Sequence, residues 1–396
     1  MTGNGGLIQF ENSIIRTDML KYDINRYREL FPVVQAGTIY LNHAATGPLS
    51  TKVVAAVDRY LHERSETHID NYELFQPILI ETRSLASRLL NTTPDRIAFY
   101  DNTTNAINLL AAGLEWKQGD RVILDDIEFP ANVYPFLNLK RLGVEIDFVR
   151  NRGGKILVED IEEKITSRTR LLSISHVQFL TGYRADLYAI GEMCRRRGII
   201  FSVDAIQSAG VVPIDVDGMK IDFLATGGQK WLLSPQGIAF AFISSETQAR
   251  LRQAYLGWTS IKNFFSEFTK YRLDLDDTAR RYENGTLNYI GITSLHESLG
   301  TLLEVGIEKI EEHVLDLSDE LIKGLRSMGM KAYVEGDRKE RAGIVSILVQ
   351  NAGAYAANLA KARIEVAVRQ GVVRVSPHFY NTGDEILTLI EKLESK

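Results

Sequence analysis

The sequence predicts an α/β fold: a mostly parallel seven-stranded sheet flanked by helices, followed by a smaller α+β unit. Three observations carry this. Short β-rich runs alternate with amphipathic segments from residue 95 onward. Most of the gaps between runs are long enough for a crossover helix. The pattern then changes near residue 291 to helices with a few short strands.

The strand-like runs are 96–100, 121–126, 144–150, 170–177, 199–205, 222–227 and 238–244. Helical patterns fall at 103–113, 131–142, 157–166 and 186–197. The runs at 222–227 and 238–244 are joined by "GQKWLLSPQG", which has no room for a crossover helix. They are expected to pair antiparallel. Residues 256–289 are irregular, aromatic and charged. Helices are expected at 292–312 and 315–327, short strands at 331–334, 343–349, 364–368 and 372–375, and a closing helix at 383–394. The chain thus divides into an N-terminal arm over 1–30, packing on the small unit or on a partner, a large domain over 31–290 and a small domain over 291–396.

The totals bound the class. The 396 residues suit two domains, and 45% hydrophobic with 24% charged residues is ordinary globular composition. Net charge is −5, and the densest basic run, "CRRRG" at 194–198, reads as the solvated end of a helix. Nucleic acid is not an expected partner. The single cysteine, Cys194, excludes an intrachain disulfide and fits a reducing compartment. The N-terminus lacks a signal-peptide pattern, and no apolar stretch is long enough for a membrane span. A cytoplasmic location without membrane attachment is the expectation. The seven histidines, His43, His62, His68, His176, His296, His313 and His378, show no metal-ligand spacing, so no metal is expected.

In sheets of this kind sites lie beyond the carboxyl ends of the strands. Polar and aromatic residues follow each one here: Asp101-Asn102-Thr103-Thr104, then Glu128-Phe129, His176-Val177-Gln178, Asp204-Ala205-Ile206-Gln207 and Gly227-Gly228-Gln229-Lys230. No glycine-rich dinucleotide or triphosphate motif stands at these turns. A lysine in a partly apolar pocket loses proton affinity and can form a Schiff base with an aldehyde. Pyridoxal phosphate is the aldehyde this set suits. Its phosphate fits the helix start at Asn102-Thr103-Thr104. Its ring nitrogen fits a carboxylate such as Asp204. Its ring fits a stacking side chain such as Phe129. Taken singly, each residue reads as a cap, a turn aspartate, a core aromatic or a surface charge; order and position carry the argument.

Eight motifs occur in one order: "YLNHAATGPL" (40–49), "NTTNAINLLA" (102–111), "EFPANVYP" (128–135), "SHVQFLTG" (175–182), "VDAIQSAG" (203–210), "GGQKWLLSPQG" (227–237), "ENGTLN" (283–288) and "RVSPHFYNT" (374–382). In these the chain resembles the class V aminotransferases over roughly residues 36–396. These are fold-type I enzymes dependent on pyridoxal 5'-phosphate, a group that includes cysteine desulfurases, kynureninases and isopenicillin N epimerase-like proteins. The resemblance implies that Lys230 holds the cofactor and shuttles protons, Asp204 partners the ring nitrogen and Gln207 the ring hydroxyl. It implies Phe129 as the stacking residue, and Thr103, Thr104 and Gln229 as phosphate contacts. Asn284, Gly285 and Thr286 resemble a loop reaching the phosphate of a neighbouring subunit, which implies a homodimer. Arg374 resembles the arginine that grips the substrate α-carboxylate, and His43 and Ala44 lie in a loop expected at the substrate. Trp231 is expected to pack the far side of the turn, with an indole contact to the substrate as the alternative.

The expected function is a cofactor-dependent transformation of an amino acid, broadly that of an aminotransferase. Epimerisation would need a second acid opposite Lys230, with Tyr134, Tyr183 and His43 as candidates. A C–S or β-lyase reaction is the other alternative. Cysteine desulfurase is disfavoured, because "AVRQGVVRVSPHFY" runs straight into Arg374 with no cysteine loop. Gln229 stands where kynureninases carry a tyrosine, which weakens that reading. A non-catalytic binding module is the alternative from another class, and the intact set of Lys230, Asp204, Gln207 and Arg374 speaks against it.

Overall fold

A computed structural model describes residues 22–266 and 268–394. The main sheet comprises β1 (Ile97–Tyr100), β2 (Arg121–Asp125), β3 (Glu145–Val149), β4 (Thr169–Ser175), β5 (Ile200–Asp204), β6 (Phe223–Gly227) and β7 (Ala239–Ile243). Its spatial order is β1-β7-β6-β5-β4-β2-β3. All neighbouring pairs are parallel except those of β7, which runs antiparallel to β1 and to β6. The expected seven strands are therefore all present, with the antiparallel pair where the short connection placed it. Strands β5, β6 and β7 are buried at every position, as a sheet covered on both faces requires.

Helix α3 (Thr103–Gly113) starts where Asn102 caps it, the side-chain oxygen accepting from Asn105 N at 2.8 Å. Helix α5 (Leu187–Arg197) starts at the Asp186 cap and ends at Gly198, whose φ of 66° suits glycine. Its last turn holds Arg195, Arg196 and Arg197, where cations favour the helix C-terminus. The short helix α4 (Val158–Lys164) lies between β3 and β4.

Three expectations change. The helix expected over 131–142 is broken into a 3-10 turn at Pro130–Asn132, a single turn at Tyr134–Leu137 and a further 3-10 segment at Asn138–Leu142. Pro130 and Pro135 remove donors, and Asn132 spends its side chain on Glu128 and Ser173. The break expected near 313–314 instead falls at Gly306, between α6 (Tyr289–Val305) and α7 (Ile307–Ser327), where φ is +94°. Among the described residues, the unexpected helices of ten residues or more are α1 (Thr51–Glu66), α2 (Tyr72–Leu89) and α8 (Ala352–Lys361); short ones also form at Ile24–Arg28, Pro32–Gln35 and Ser245–Arg250. Helix α6 packs on α1 and α2.

The C-terminal sheet is antiparallel. It holds β8 (Lys331–Ala332), β9 (Val345–Leu348), β10 (Ala367–Arg369) and β11 (Val372–Val375), in the order β10-β11-β9-β8. Helix α9 (Gly383–Glu394) packs on α7. Most of the arm expected at 1–30 lies outside the described residues. Its described end docks on the C-terminal segment: the Tyr22 hydroxyl donates to Phe379 O at 2.5 Å, and Arg28 pairs with Glu385 at 2.8 Å. Among the described residues no helix is long and apolar enough to cross a membrane.

Candidate active site

The carboxyl ends of β1, β2, β4, β5 and β6 open on one edge of the sheet, and the expected site residues follow them. After β6 the chain turns sharply. Gly228 N donates to Ile238 O at 2.8 Å, and Leu233 N closes a turn on Lys230 O at 3.1 Å. A Cβ on Gly228 would come within 2.9 Å of Ile238 Cγ2, so Gly228 serves the packing of this turn. Gly47 crosses directly over the lysine peptide: its N–H donates to Gln229 O at 2.8 Å, and a Cβ there would lie 2.2 Å from Lys230 O. The lysine backbone is thus wedged between two segments far apart in sequence.

Lys230 is 9% exposed. Burial pulls its proton affinity down to about 8, Asp204 opposes this, and the guanidiniums of Arg374 and Arg369 push it further down. Its Nζ lies 5.4 Å from the centroid of the Phe129 ring. Phe129 itself is 39% exposed and meets Phe179 edge-on at 5.2 Å. One aromatic face is therefore open beside the amine.

Asp204 ends β5, and its Oδ1 accepts from Ile206 N at 2.9 Å. Its Oδ2 is buried and has no partner among the described residues. Burial raises its carboxyl to about 7, the charge of Glu128 adds to this, and Ile206 N and Lys230 oppose it. A buried acceptor without a donor is costly. A protonated ring nitrogen is the kind of donor that would satisfy Oδ2.

Thr103 occupies the first turn of α3, and its hydroxyl is buried and unpartnered among the described residues. Gly227 leaves room beside it. A Cβ there would sit 3.1 Å from Thr103 Oγ1 and 2.5 Å from Gln229 Oε1. Thr103, Gln229 and the N-terminus of α3 thus line one small cradle, with half-buried Thr104 next along the helix. The α3 start, the Oδ2 of Asp204 and the open ring of Phe129 match the phosphate, nitrogen and flat face of pyridoxal phosphate.

Arg374 on β11 is 2% exposed. Its Nη1 donates to Phe179 O at 2.8 Å, while Nε is buried without a partner among the described residues. Among the described residues it makes no ion pair, and burial, then Arg369, lowers its proton affinity to about 10. Gln207 is buried. Its Oε1 accepts from Trp231 Nε1 at 2.8 Å and its Nε2 donates to Ala44 O at 3.0 Å, which leaves one amide N–H to spare.

Several expected roles do not fit. His43 is fully buried, with Nδ1 on Ser376 O at 2.8 Å and Nε2 on the Tyr380 hydroxyl at 2.7 Å. Ala44 uses its N–H on Ser376 Oγ and its carbonyl on Gln207. Neither offers a free polar group to a substrate; both join the 40–49 loop to the C-terminal segment. Trp231 is fully buried against Gly343 and is a core anchor. As a second acid, His43 is committed and Tyr134 is 67% exposed. Tyr183 is 5% exposed, and burial, then the charges of Glu340, Asp186 and Glu159, push its hydroxyl up to about 12.

Asn284 and Thr286 are exposed, with Gly285 between them, and the three line a groove with Tyr100 and Asp101. Glu283 anchors this loop: its carboxylate pairs with Arg83 at 2.6 Å and accepts from Phe99 N at 2.8 Å.

Two residues stood outside the expectation. Glu128, within a quoted motif, is buried and accepts from Ser175 N at 2.7 Å, Asn132 Nδ2 at 3.0 Å and Phe129 N at 2.9 Å. It ties the loop that carries Phe129 to Ser175, the cross-strand neighbour of Asp204. An acid next to the stacking residue was the available signal. Arg369 is the other, exposed on β10.

A fold of this topology, with a buried lysine after β6 and an aspartate at the end of β5, defines a pyridoxal-phosphate-dependent enzyme of fold type I. The family model "Aminotransferase class-V" matches residues 39–389, and the chain belongs to that family. A probable cysteine desulfurase of Methanothermobacter thermautotrophicus is 30% identical, over 96% of this chain and 98% of its own. The uncharacterized aminotransferase YcbU of Bacillus subtilis is 28% identical, over 94% of this chain and 97% of its own. Among solved structures, a mutant of C-DES with glycine covalently linked to its PLP cofactor superposes with a TM-score of 0.86 at 24% identity, covering 93% of this chain and 99% of that one. The cofactor of the family is pyridoxal 5'-phosphate.

Proposed function

We propose that this chain moves a proton at the α-carbon of an amino acid, with transamination as its reaction. The observation that carries the reading is a buried lysine of lowered proton affinity, Lys230, set between the free Oδ2 of Asp204 and the unpaired guanidinium of Arg374. When bound, the cofactor supplies an electron sink for the α-carbon. Lys230 would hold it covalently, Asp204 at its ring nitrogen, Gln207 at its hydroxyl, Phe129 on its face, and Thr103, Thr104 and Gln229 at its phosphate. Arg374 takes the substrate α-carboxylate in its planar fork, which sets the α-carbon near Lys230 Nζ. An amine with a proton affinity near 8 has a populated neutral form at neutral pH and can accept and return that proton. Acting as the one proton carrier, it favours transfer between two positions on the same face. Epimerisation has less support, since Tyr134 is exposed, Tyr183 is buried with its hydroxyl pushed to about 12, and His43 is already bonded on both ring nitrogens. The working unit in this reading is a cytoplasmic homodimer in which Asn284, Gly285 and Thr286 reach the partner's site.

The names of the relatives favour a second reading, a sulfur amino acid as substrate. An enzyme persulfide has no seat here. Cys194 is fully buried in α5, with its thiol pushed up to about 12 by burial and then by Asp222. The hairpin leading to Arg374 closes in the two-residue turn Gln370-Gly371, so it carries no long loop. Sulfur would therefore leave by β-elimination. Incubation with a panel of 15N-labelled amino acids and keto acids separates the two. Label in the new amino acid supports transamination; pyruvate with released sulfur and no label transfer overturns it.

A further inference from the structure

The hairpin β10–β11 carries a second arginine that the reaction above does not use. In its register Ala367 faces Arg374 and Arg369 faces Val372. Residues directly opposite share a face, as do residues two apart on one strand. Arg369 and Arg374 therefore project from the same face as diagonal neighbours. The turn between the strands is only Gln370-Gly371, with φ of 44° and 84°, so their spacing is fixed by a tight hairpin. Arg374 lies at the bottom with a buried, unpartnered Nε, and Arg369 lies at the exposed rim, donating to Val368 O at 2.9 Å. Among the described residues neither pairs with an acid. The charge of Arg369 reaches both Arg374 and Lys230. The acid nearest along the chain, Glu365, belongs to the segment paired with Ile39–Tyr40 and acts on the Tyr40 hydroxyl. One α-carboxylate satisfies one fork and leaves the other cation facing it unbalanced.

We propose that Arg369 binds a second anionic group at the end of the substrate side chain, so that the site selects dicarboxylic amino acids and the matching keto acids. Arg374 takes the α-carboxylate and Arg369 the distal one, at the rim, where its long stem accommodates different side-chain lengths. This rests on the carboxylate role of Arg374 in the reading above.

Calorimetric titration of the protein with its cofactor tests this, with succinate, glutarate and butyrate as probes at one ionic strength. The two dianions should bind roughly ten- to hundredfold more tightly than butyrate, the range of a charge-assisted pair. Arg369→Ala should bring them to the level of butyrate, and Arg369→Lys should keep part of the difference. Equal affinities for all three in the wild type, or a preference untouched by Arg369→Ala, would overturn the assignment. Reaction with glutamate and aspartate against glutamine and asparagine adds the distinction from the parent reading. A dianion preference lost in Arg369→Ala, with no amino acid reacting, would uphold the anion seat and discard transamination.

Discussion

Replacing Lys230 with methionine should make the protein without cofactor more stable at neutral pH. Lysine and methionine are similar in length, and the variant removes only the charged end. Burial lowers the proton affinity of Lys230 from 10.5 to about 8. At about 1.4 kcal/mol for each tenfold change, the fold bears about 3 kcal/mol against the protonated amine. The sign follows from proton counts. Below pH 8 folded and unfolded chains both hold the proton, and the whole penalty is present. Between 8 and 10.5 the unfolded chain holds more protons, so stability rises with pH and the penalty fades. Lys230→Met should thus gain about 3 kcal/mol at pH 7 and little near pH 10.5. Asp204, freed of the lysine charge, keeps its own proton to higher pH, and near pH 10.5 it faces a neutral side chain in both proteins, so the comparison there is even. Urea denaturation of both proteins at the two pH values measures this. A variant less stable than wild type at pH 7, or a gain that does not shrink with pH, would refute the claim that burial sets the state of this lysine.

Three further outcomes follow. Arg374→Ala should raise the KM for amino acids by ten- to hundredfold, as expected for loss of a charge-assisted pair, while cofactor content stays as in wild type; Arg374→Lys should restore little, because an ammonium lacks the planar fork. Gly47→Ala should cost about 1–3 kcal/mol in thermal or urea denaturation and weaken cofactor retention, since its Cβ would strike Lys230 O at 2.2 Å; Gly300→Ala, with open space at the same position, should cost nothing. Cys194→Ala should leave the release of sulfur from any sulfur amino acid unchanged, measured as sulfide per turnover, because the thiol is buried in α5.

The sheet was legible because its strands are short apolar runs bounded by turn residues, and the antiparallel partner followed from one short connection. Helices α1 and α2 were less so: α1 is exposed over much of its length, and α2 carries Pro77 inside it. The helix break at Gly306 was written in the sequence as a glycine, yet periodicity alone placed it seven residues late. Lys230, Asp204, Gln207, Phe129, Thr103 and Arg374 stand out in the sequence because each follows or occupies a strand end, and their roles are those proposed above. The bonds that occupy His43 and Ala44 are hidden from the sequence, since their partners Ser376 and Tyr380 are more than three hundred residues away in the chain. Arg369 was passed over because an exposed arginine near a turn reads as a surface charge until the register places it beside Arg374.

Borohydride reduction of the purified protein, followed by peptide mapping, tests the central claim most directly. The account predicts loss of the near-visible absorption band and a stable phosphopyridoxyl adduct on Lys230. An adduct on another lysine, or a protein that takes up no pyridoxal phosphate and yields no adduct, would contradict it.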